Sequence, residues 1–221
     1  GNDLRCVRDG EGVAVAGFWW ARALAGAAAA GPKTVGRRSF GYPGTAAIPS
    51  AARFSALIAP GRDGGADAGQ PYPFFLAHQL NDAPDTLGPV DDWLVEWKWD
   101  GIRGQLVKRS GAIWLWSRGE ELVTERFPEL RGLEARIPDG TVIDGEIVVW
   151  KEGRVRPVAM LQTRIGRKLL SAKILADAPA ALLAYDLLDE QGADLRMLPQ
   201  QELRAHLEAL VLAIGDEHLQ L

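Results

Sequence analysis

From residue 71 onward, large apolar residues come in short runs separated by turn signals, a pattern of strands and short helices rather than of long bundled helices. Trp93–Trp97 reads as a strand. Arg103–Arg109 and Ala112–Ser117 read as two strands joined by the hairpin signal Ser110-Gly111. Thr141–Trp150 and Arg154–Pro157 predict a second hairpin around Lys151-Glu152-Gly153. Ala180–Leu188 predicts a buried strand ending in the turn Glu190-Gln191-Gly192. Pro128 suits the first position of a helix carrying Leu130, Leu133 and Ile137. Pro199 opens another, with Leu203, Leu207, Leu210 and Ile214 on one face. The sum is an α+β pattern dominated by antiparallel hairpins, with no internal repeat.

The first seventy residues read differently. They hold 13 of the 25 glycines, many alanines and few large aliphatics. Phe18-Trp19-Trp20 followed by Ala21–Leu24 is compatible with a helix, as is Ser50–Ile58. Gly36–Gly44 and Gly61–Gly69 read as loops, and much of the segment is expected to be loosely ordered. The chain therefore divides near residue 70, into 1–70 and 71–221.

Composition adds exclusions. The 221 residues are 47% hydrophobic and 24% charged, an ordinary globular balance. No apolar run reaches the roughly 18–20 residues that span a bilayer. No signal peptide is visible, and the absence of an initiator Met suggests a piece of a longer protein. The single cysteine, Cys6, excludes an internal disulfide and a Cys-cluster zinc site. A cytoplasmic protein is the simplest expectation. The net charge is -4; residues 1–70 carry eight Lys/Arg and five Asp/Glu, about +3, so the remainder carries about -7. Nucleic-acid contact in the second part therefore needs a local basic patch.

Candidate chemistry concentrates in Glu96-Trp97-Lys98-Trp99-Asp100-Gly101-Ile102-Arg103, where a strand runs out into a glycine turn. Bulky rings beside a lysine lower local polarity and favour the neutral, nucleophilic amine. Holding a lysine neutral at pH 7 costs roughly 4–5 kcal/mol against its free pKa. Arg103 supplies a nearby cation, and Gly101 permits close approach of a ligand. The bland alternative is a strand-edge Lys98 paired with Asp100 in an ordinary turn.

This stretch resembles the nucleotide-attachment motif Lys-x-Asp-Gly-x-Arg of the covalent nucleotidyltransferases: DNA ligases, RNA ligases and capping enzymes. Ser117-Arg118-Gly119, Asp144-Gly145-Glu146 and Ala184-Tyr185-Asp186-Leu187-Leu188 follow in the order of that superfamily's next motifs. Met160–Lys168, with Gln162, Arg164, Arg167 and Lys168, is similar to the basic stretch of ATP-dependent DNA ligases. Pro71–Ala77 and the Trp-Lys-Trp core look like the bacterial, helicase-associated group of those ligases. The resemblance covers roughly residues 71–215. It implies an antiparallel-sheet, ATP-grasp-like adenylation domain, incomplete, after a short Ala/Gly-rich remnant of an N-terminal DNA-binding domain. By the same resemblance Lys98 attacks the α-phosphate of ATP and carries AMP, and Glu96 accepts from the adenine amino group. Arg103 and Arg118 contact ribose and phosphate, Glu146 binds ribose hydroxyls or a divalent metal, and Tyr185 stacks on adenine. The implied cofactors are ATP and Mg2+. The implied partner is nicked duplex DNA, acted on by a monomer in repair, recombination or replication, with helicase or nuclease repair partners and no membrane.

Alternatives stand beside these roles. Arg118 pairs with Glu120 or Glu121 on a solvated turn, Glu146 is an outward residue opposite a lysine, or Tyr185 is plain core. Asp186 reads as structural. His78, His206 and His218 have no metal or general-base spacing, and the last two read as solvent-facing. Six of the eight tryptophans, 93, 97, 99, 114, 116 and 150, divide between core and pocket wall in a way that sequence does not sort. The family's Glu-Gly segment and Lys-x-Lys pair do not follow Tyr185, and no OB domain does. Two rival readings remain: an RNA ligase or GTP-using capping-type enzyme, and an inactive nucleotide- or DNA-binding module.

Overall fold

The structure is a computed structural model that describes residues 69–74, 89, 93–167 and 169–221, and the backbone of 3–7, 14–16, 19–21 and 78–80. The strands in chain order are β1 (Asp3–Val7), β2 (Ala14–Ala16), β3 (Trp19–Ala21), β4 (His78–Leu80), β5 (Leu94–Lys98), β6 (Ile102–Arg109), β7 (Ala112–Ser117), β8 (Thr141–Lys151), β9 (Arg154–Val155), β10 (Ala180–Glu190), β11 (Ala193–Asp194) and β12 (Leu219–Gln220). The helices are α1 (Pro128–Arg131), α2 (Val158–Ile165), α3 (Ala172–Asp177) and α4 (Gln200–Ile214).

The main sheet runs β11-β10-β8-β6-β7, with β9 added to β8 and β12 to β10. All of its pairings are antiparallel except β10 with β12. Three two-residue hairpin turns build it. Ser110-Gly111, Glu152-Gly153 and Gln191-Gly192 all have positive φ at both residues, between 49° and 84°. That is the primed turn whose twist matches the flanking strands, and glycine supplies the second residue each time.

One face of the sheet is apolar. Leu106, Ile143, Ile147, Leu182 and Leu187 are fully or almost fully buried there. α4 covers them with Leu203, Leu207, Leu210 and Ile214, the spacing of one helix face. Pro199 precedes α4, and Gly215 ends it in the left-handed conformation, its N–H donating to the Val211 carbonyl at 3.0 Å. α1 has Pro128 at its first turn, and Leu130, Leu133 and Ile137 are buried as the periodicity predicts. α2 and α3 were not among the predicted elements.

A second sheet orders β4-β2-β3-β1-β5, with β1 antiparallel to β5. Trp19–Ala21 is thus a strand, not part of the predicted helix: two adjacent indoles favour extended pairing, and β3 pairs on both sides, with β1 and β2. The segments of β1–β3 also replace, for those residues, the expectation of loose order. The expected helix at Ser50–Ile58 and the loop at Gly36–Gly44 lie outside the described residues, as does all of the predicted loop at Gly61–Gly69 but its last residue. No helix among the described residues is long and apolar enough to cross a membrane.

Candidate active site

β5 positions the first two candidates. Its burial alternates, so Leu94, Glu96 and Lys98 lie on the sheltered side while Val95 and Trp97 are outward and about half exposed. Trp97 therefore does not wall Lys98. Its ring tilts against Trp99 at a centroid distance of 6.3 Å. The expectation of a lysine flanked by two rings is corrected on that side, because strand period two places sequence neighbours on opposite faces. Glu96 is held from across the fold: Arg204 of α4 donates from Nη1 to its Oε1 at 2.9 Å.

The turn after Lys98 crosses β8 at close range. A Cβ on Gly101 would lie 2.3 Å from the Ile147 carbonyl oxygen and 3.1 Å from Cγ of Glu146. Only glycine fits that crossing without moving the backbone. The contact also brings the Gly101 N–H to Glu146 Oε1, which accepts at 3.1 Å.

Arg103 and Glu146 are directly opposite on β6 and β8. Arg103 grips Asp144 with a two-pronged bond, Nε to Oδ1 at 3.2 Å and Nη2 to Oδ2 at 2.9 Å. Burial works against the Arg103 charge, but the Asp144 carboxylate outweighs it and raises the guanidinium pKa. Its Cζ lies 5.6 Å from the Phe74 ring centroid and 5.7 Å from that of Tyr185. Among the described residues Glu146 has no such two-pronged partner. Burial pushes its pKa up to about 7, against the opposing pull of the Gly101 N–H, Arg103 and Lys98.

Tyr185 reaches this face through a bulge. β10 pairs Ala184 with Gly145 and Asp186 with Asp144, leaving Tyr185 as the extra residue. Ala184 and Leu187 consequently both enter the core, three positions apart, a spacing that simple pleating forbids. Tyr185 is half-buried rather than core, and its hydroxyl donates to Asp144 Oδ1 at 3.4 Å. Asp186, buried, accepts from Gln200 Nε2 at 3.1 Å and ties β10 to the start of α4.

Arg118 lies at the rim. Its side chain is exposed, and its backbone N–H donates to the Arg103 carbonyl at 3.1 Å. Among the described residues no ion pair joins it to Glu120 or Glu121. His206 lies beside Glu190, ring nitrogen to carboxylate 2.7 Å, and His218 Nδ1 is 2.8 Å from the Ala180 carbonyl, a partly buried position. The side chain of His78 is outside the described residues.

Gln105 and Asp189 had no sequence signal. Gln105, fully buried, accepts from the Tyr72 N–H at 2.6 Å and donates to the Tyr72 carbonyl at 3.4 Å. Its amide thus imitates a strand partner for the segment 69–74, which lies across the polar face of the sheet. Tyr72 continues the anchorage by donating to Asp189 at 2.9 Å, and Trp116 Nε1 donates to the Gly69 carbonyl at 2.6 Å. Arg164, read as part of a basic stretch, points inward. It is fully buried, paired through both nitrogens with Glu129 at 2.5 Å and bonded to the carbonyls of Arg126 and Ala178. Lys168 is outside the described residues.

Comparison with known proteins follows the same residues. A family model described as the ATP dependent DNA ligase domain matches residues 74–220. A probable DNA ligase of Opitutus terrae is 40% identical over 147 residues, covering 66% of this chain and 14% of the relative. A DNA ligase of Hyperthermus butylicus is 31% identical over 153 residues, covering 66% and 24%. A solved structure of mycobacterial DNA ligase D complexed with ATP and MES is 33% identical, with a TM-score of 0.43, covering 52% of this chain and 36% of that one. The chain thus spans a quarter or less of the length of these curated relatives.

Proposed function

Because the chain belongs to the ATP-dependent DNA ligase family, we propose that residues 71–221 are part of its adenylation domain and that Lys98 is the residue to which AMP is attached. The observation that carries this is convergence: Arg103, Glu146 and Tyr185, up to 82 positions apart in sequence, share the polar face of the main sheet through the β6–β8 register and the β10 bulge, and the β5–β6 turn brings the Gly101 N–H, and with it the charge of Lys98 at the end of β5 in the second sheet, to Glu146.

ATP is the substrate of this step. The unprotonated Lys98 amine forms a bond to the α-phosphorus as the bond from that phosphorus to the bridging oxygen breaks. Pyrophosphate leaves with the electron pair, and the lysine proton passes to solvent. Glu96 accepts from the adenine amino group, Tyr185 stacks on the base, and Arg103 with Arg118 at the rim meets ribose and phosphate. Glu146 suits either ribose hydroxyls or a magnesium ion, since a buried carboxylate whose charge is costly gains from donors or a cation. Bound magnesium would neutralise the triphosphate and its leaving group. In the whole protein AMP then passes to the 5′-phosphate of a nick in duplex DNA, and the 3′-hydroxyl displaces it. Family membership supports that sequence of steps, and with it a cytoplasmic enzyme serving DNA repair or replication.

The test is incubation with α-labelled ATP and, separately, α-labelled GTP. Protein label from ATP, and its loss in both Lys98→Ala and Lys98→Arg, is the expected result; arginine fails because its guanidinium stays protonated. Label from GTP, label that survives either substitution, or no label at all on the unaltered protein overturns the reading.

A further inference from the structure

We propose that Arg204 is a positioning residue for adenine selectivity, acting through Glu96; the inference rests on the reading of Glu96 as the acceptor for the adenine amino group. Glu96 is on the sheltered side of β5, two residues before Lys98, with its side chain 12% exposed. Arg204 comes from the second turn of α4, 108 positions away, and donates to Glu96 Oε1 at 2.9 Å. The arginine is itself aimed. Its Nε donates to Glu208 Oε1, one turn further along α4, at 2.6 Å. The order Glu208–Arg204–Glu96 fixes a carboxylate at the nucleotide site from a helix whose other face is locked into the core by Leu203 and Leu207.

The chemistry explains what such a hold selects. An ionised carboxylate only accepts hydrogen bonds. It therefore suits the 6-amino group of adenine and repels the 6-carbonyl oxygen of guanine. An acceptor left to rotate on its own strand would make the same bond at greater entropic expense and reject guanine less strictly. With one oxygen engaged by Arg204, the carboxylate is held in one orientation. Glu96 and Lys98 share one face of one short strand, so the base and the α-phosphate are set relative to each other by the same element.

The experiment compares self-labelling by ATP with labelling by purine riboside triphosphate, which lacks the 6-amino group, in the unaltered protein, Arg204→Ala, Arg204→Lys, Glu96→Gln and the double variant Arg204→Ala/Glu96→Gln. A charge-assisted bond made only to adenine supports a selectivity loss of about tenfold. The expected result is that Arg204→Ala lowers kcat/KM for ATP by about tenfold and leaves that for purine riboside triphosphate unchanged, the loss appearing in KM. Arg204→Lys restores part of the preference, and the double variant is no less selective than Glu96→Gln alone. Equal losses for both nucleotides in Arg204→Ala would mark a merely structural ion pair and overturn the inference, as would an unchanged ratio. Either leaves Lys98 labelling intact. Unaltered protein that takes no label overturns the functional reading and this inference with it.

Discussion

At the scale of single residues, the pressure on Glu146 is the most telling feature of the site. Burial raises its pKa to about 7 in the folded chain, above the ordinary carboxylate range that applies when it is unfolded. The sign follows: the neutral form is the one that the fold prefers, so the associated stability is fully present below about pH 4.5 and is lost as pH rises through about 7. The loss amounts to about 3 kcal/mol. Denaturant titrations of the free protein between pH 4.5 and 8 are expected to show that decline, and Glu146→Gln is expected to flatten it while gaining stability at pH 8. A variant as pH-sensitive as the parent would assign the decline to another group. Glu146 was legible as a candidate from Asp144-Gly145-Glu146; the alternative of an outward residue opposite a lysine is not what the structure has, since Glu146 is largely buried and opposite Arg103. That the cation would be Arg103, and that Asp144 would take most of that arginine's grip, is a matter of register between β6 and β8, which no local pattern encodes. The tryptophans mark the same boundary. Period two explains in hindsight why Trp97 turns away from Lys98, but the phase of that period is set by which neighbours β5 has.

Among the elements, hairpins were the easiest to read, because each is closed by two residues whose chemistry is local. Ser-Gly, Glu-Gly and Gln-Gly all sit where the chain reverses. The long apolar spacing of α4 was legible for the same reason. α2 was not. Its eight residues are short, and Arg164 interrupts any simple apolar face, because that arginine is a buried member of the helix rather than a solvated one. Glu129 answers it from α1; burial would lift that carboxyl, but the bonds from Arg164 and its own local backbone bonds hold its pKa below the ordinary value. Removing one half of a buried pair leaves the other uncompensated, at about 3–5 kcal/mol. Arg164→Ala is therefore expected to lower the unfolding free energy by that amount, measured by chemical denaturation. Replacing both partners by apolar residues of similar size, as in Arg164→Met/Glu129→Leu, is expected to recover most of it. If Arg164→Ala cost less than about 1 kcal/mol, the pair would be behaving as a surface one.

Over the whole molecule, one sheet separates two environments. Its apolar face is closed by α4, α1 and α2, while its polar face carries the candidate chemistry and is crossed by the segment 69–74. That crossing depends on Tyr72, whose hydroxyl bonds Asp189 and whose ring lies 3.8 Å below the Arg196 guanidinium carbon. Phe74, two residues later, reaches Arg103. Loosening Tyr72 should therefore loosen one wall of the Arg103 site without opening the core. Tyr72→Phe is expected to cost about 1 kcal/mol, the scale of a single hydrogen bond. Tyr72→Ala is expected to make residues 69–74 the first point of limited proteolysis, with residues 93–221 surviving as a resistant fragment. Simultaneous digestion of both would show that the crossing segment and the sheet unfold as one unit.

The bulge in β10 also governs which changes of chain length the gene can absorb. Because Tyr185 is the supernumerary residue of its ladder, exchanging its side chain alters the site and spares the register. Deleting it spares the register too: with one residue left between Ala184 and Leu187, simple pleating keeps both in the core and Asp186 opposite Asp144, so only the ring that Tyr185 brings to the site is lost. A library of single-codon deletions spanning residues 180–190, scored for soluble yield beside alanine substitutions at the same positions, should find 185 tolerant of both replacement and loss, and Leu182, a paired core position, tolerant of neither. Loss of soluble yield on deleting Tyr185 would mean that the bulge itself is needed to hold the strand. With that yield retained, the fold alone would let related sequences shed a codon here, and what keeps the codon in place is the ring that it brings to the site.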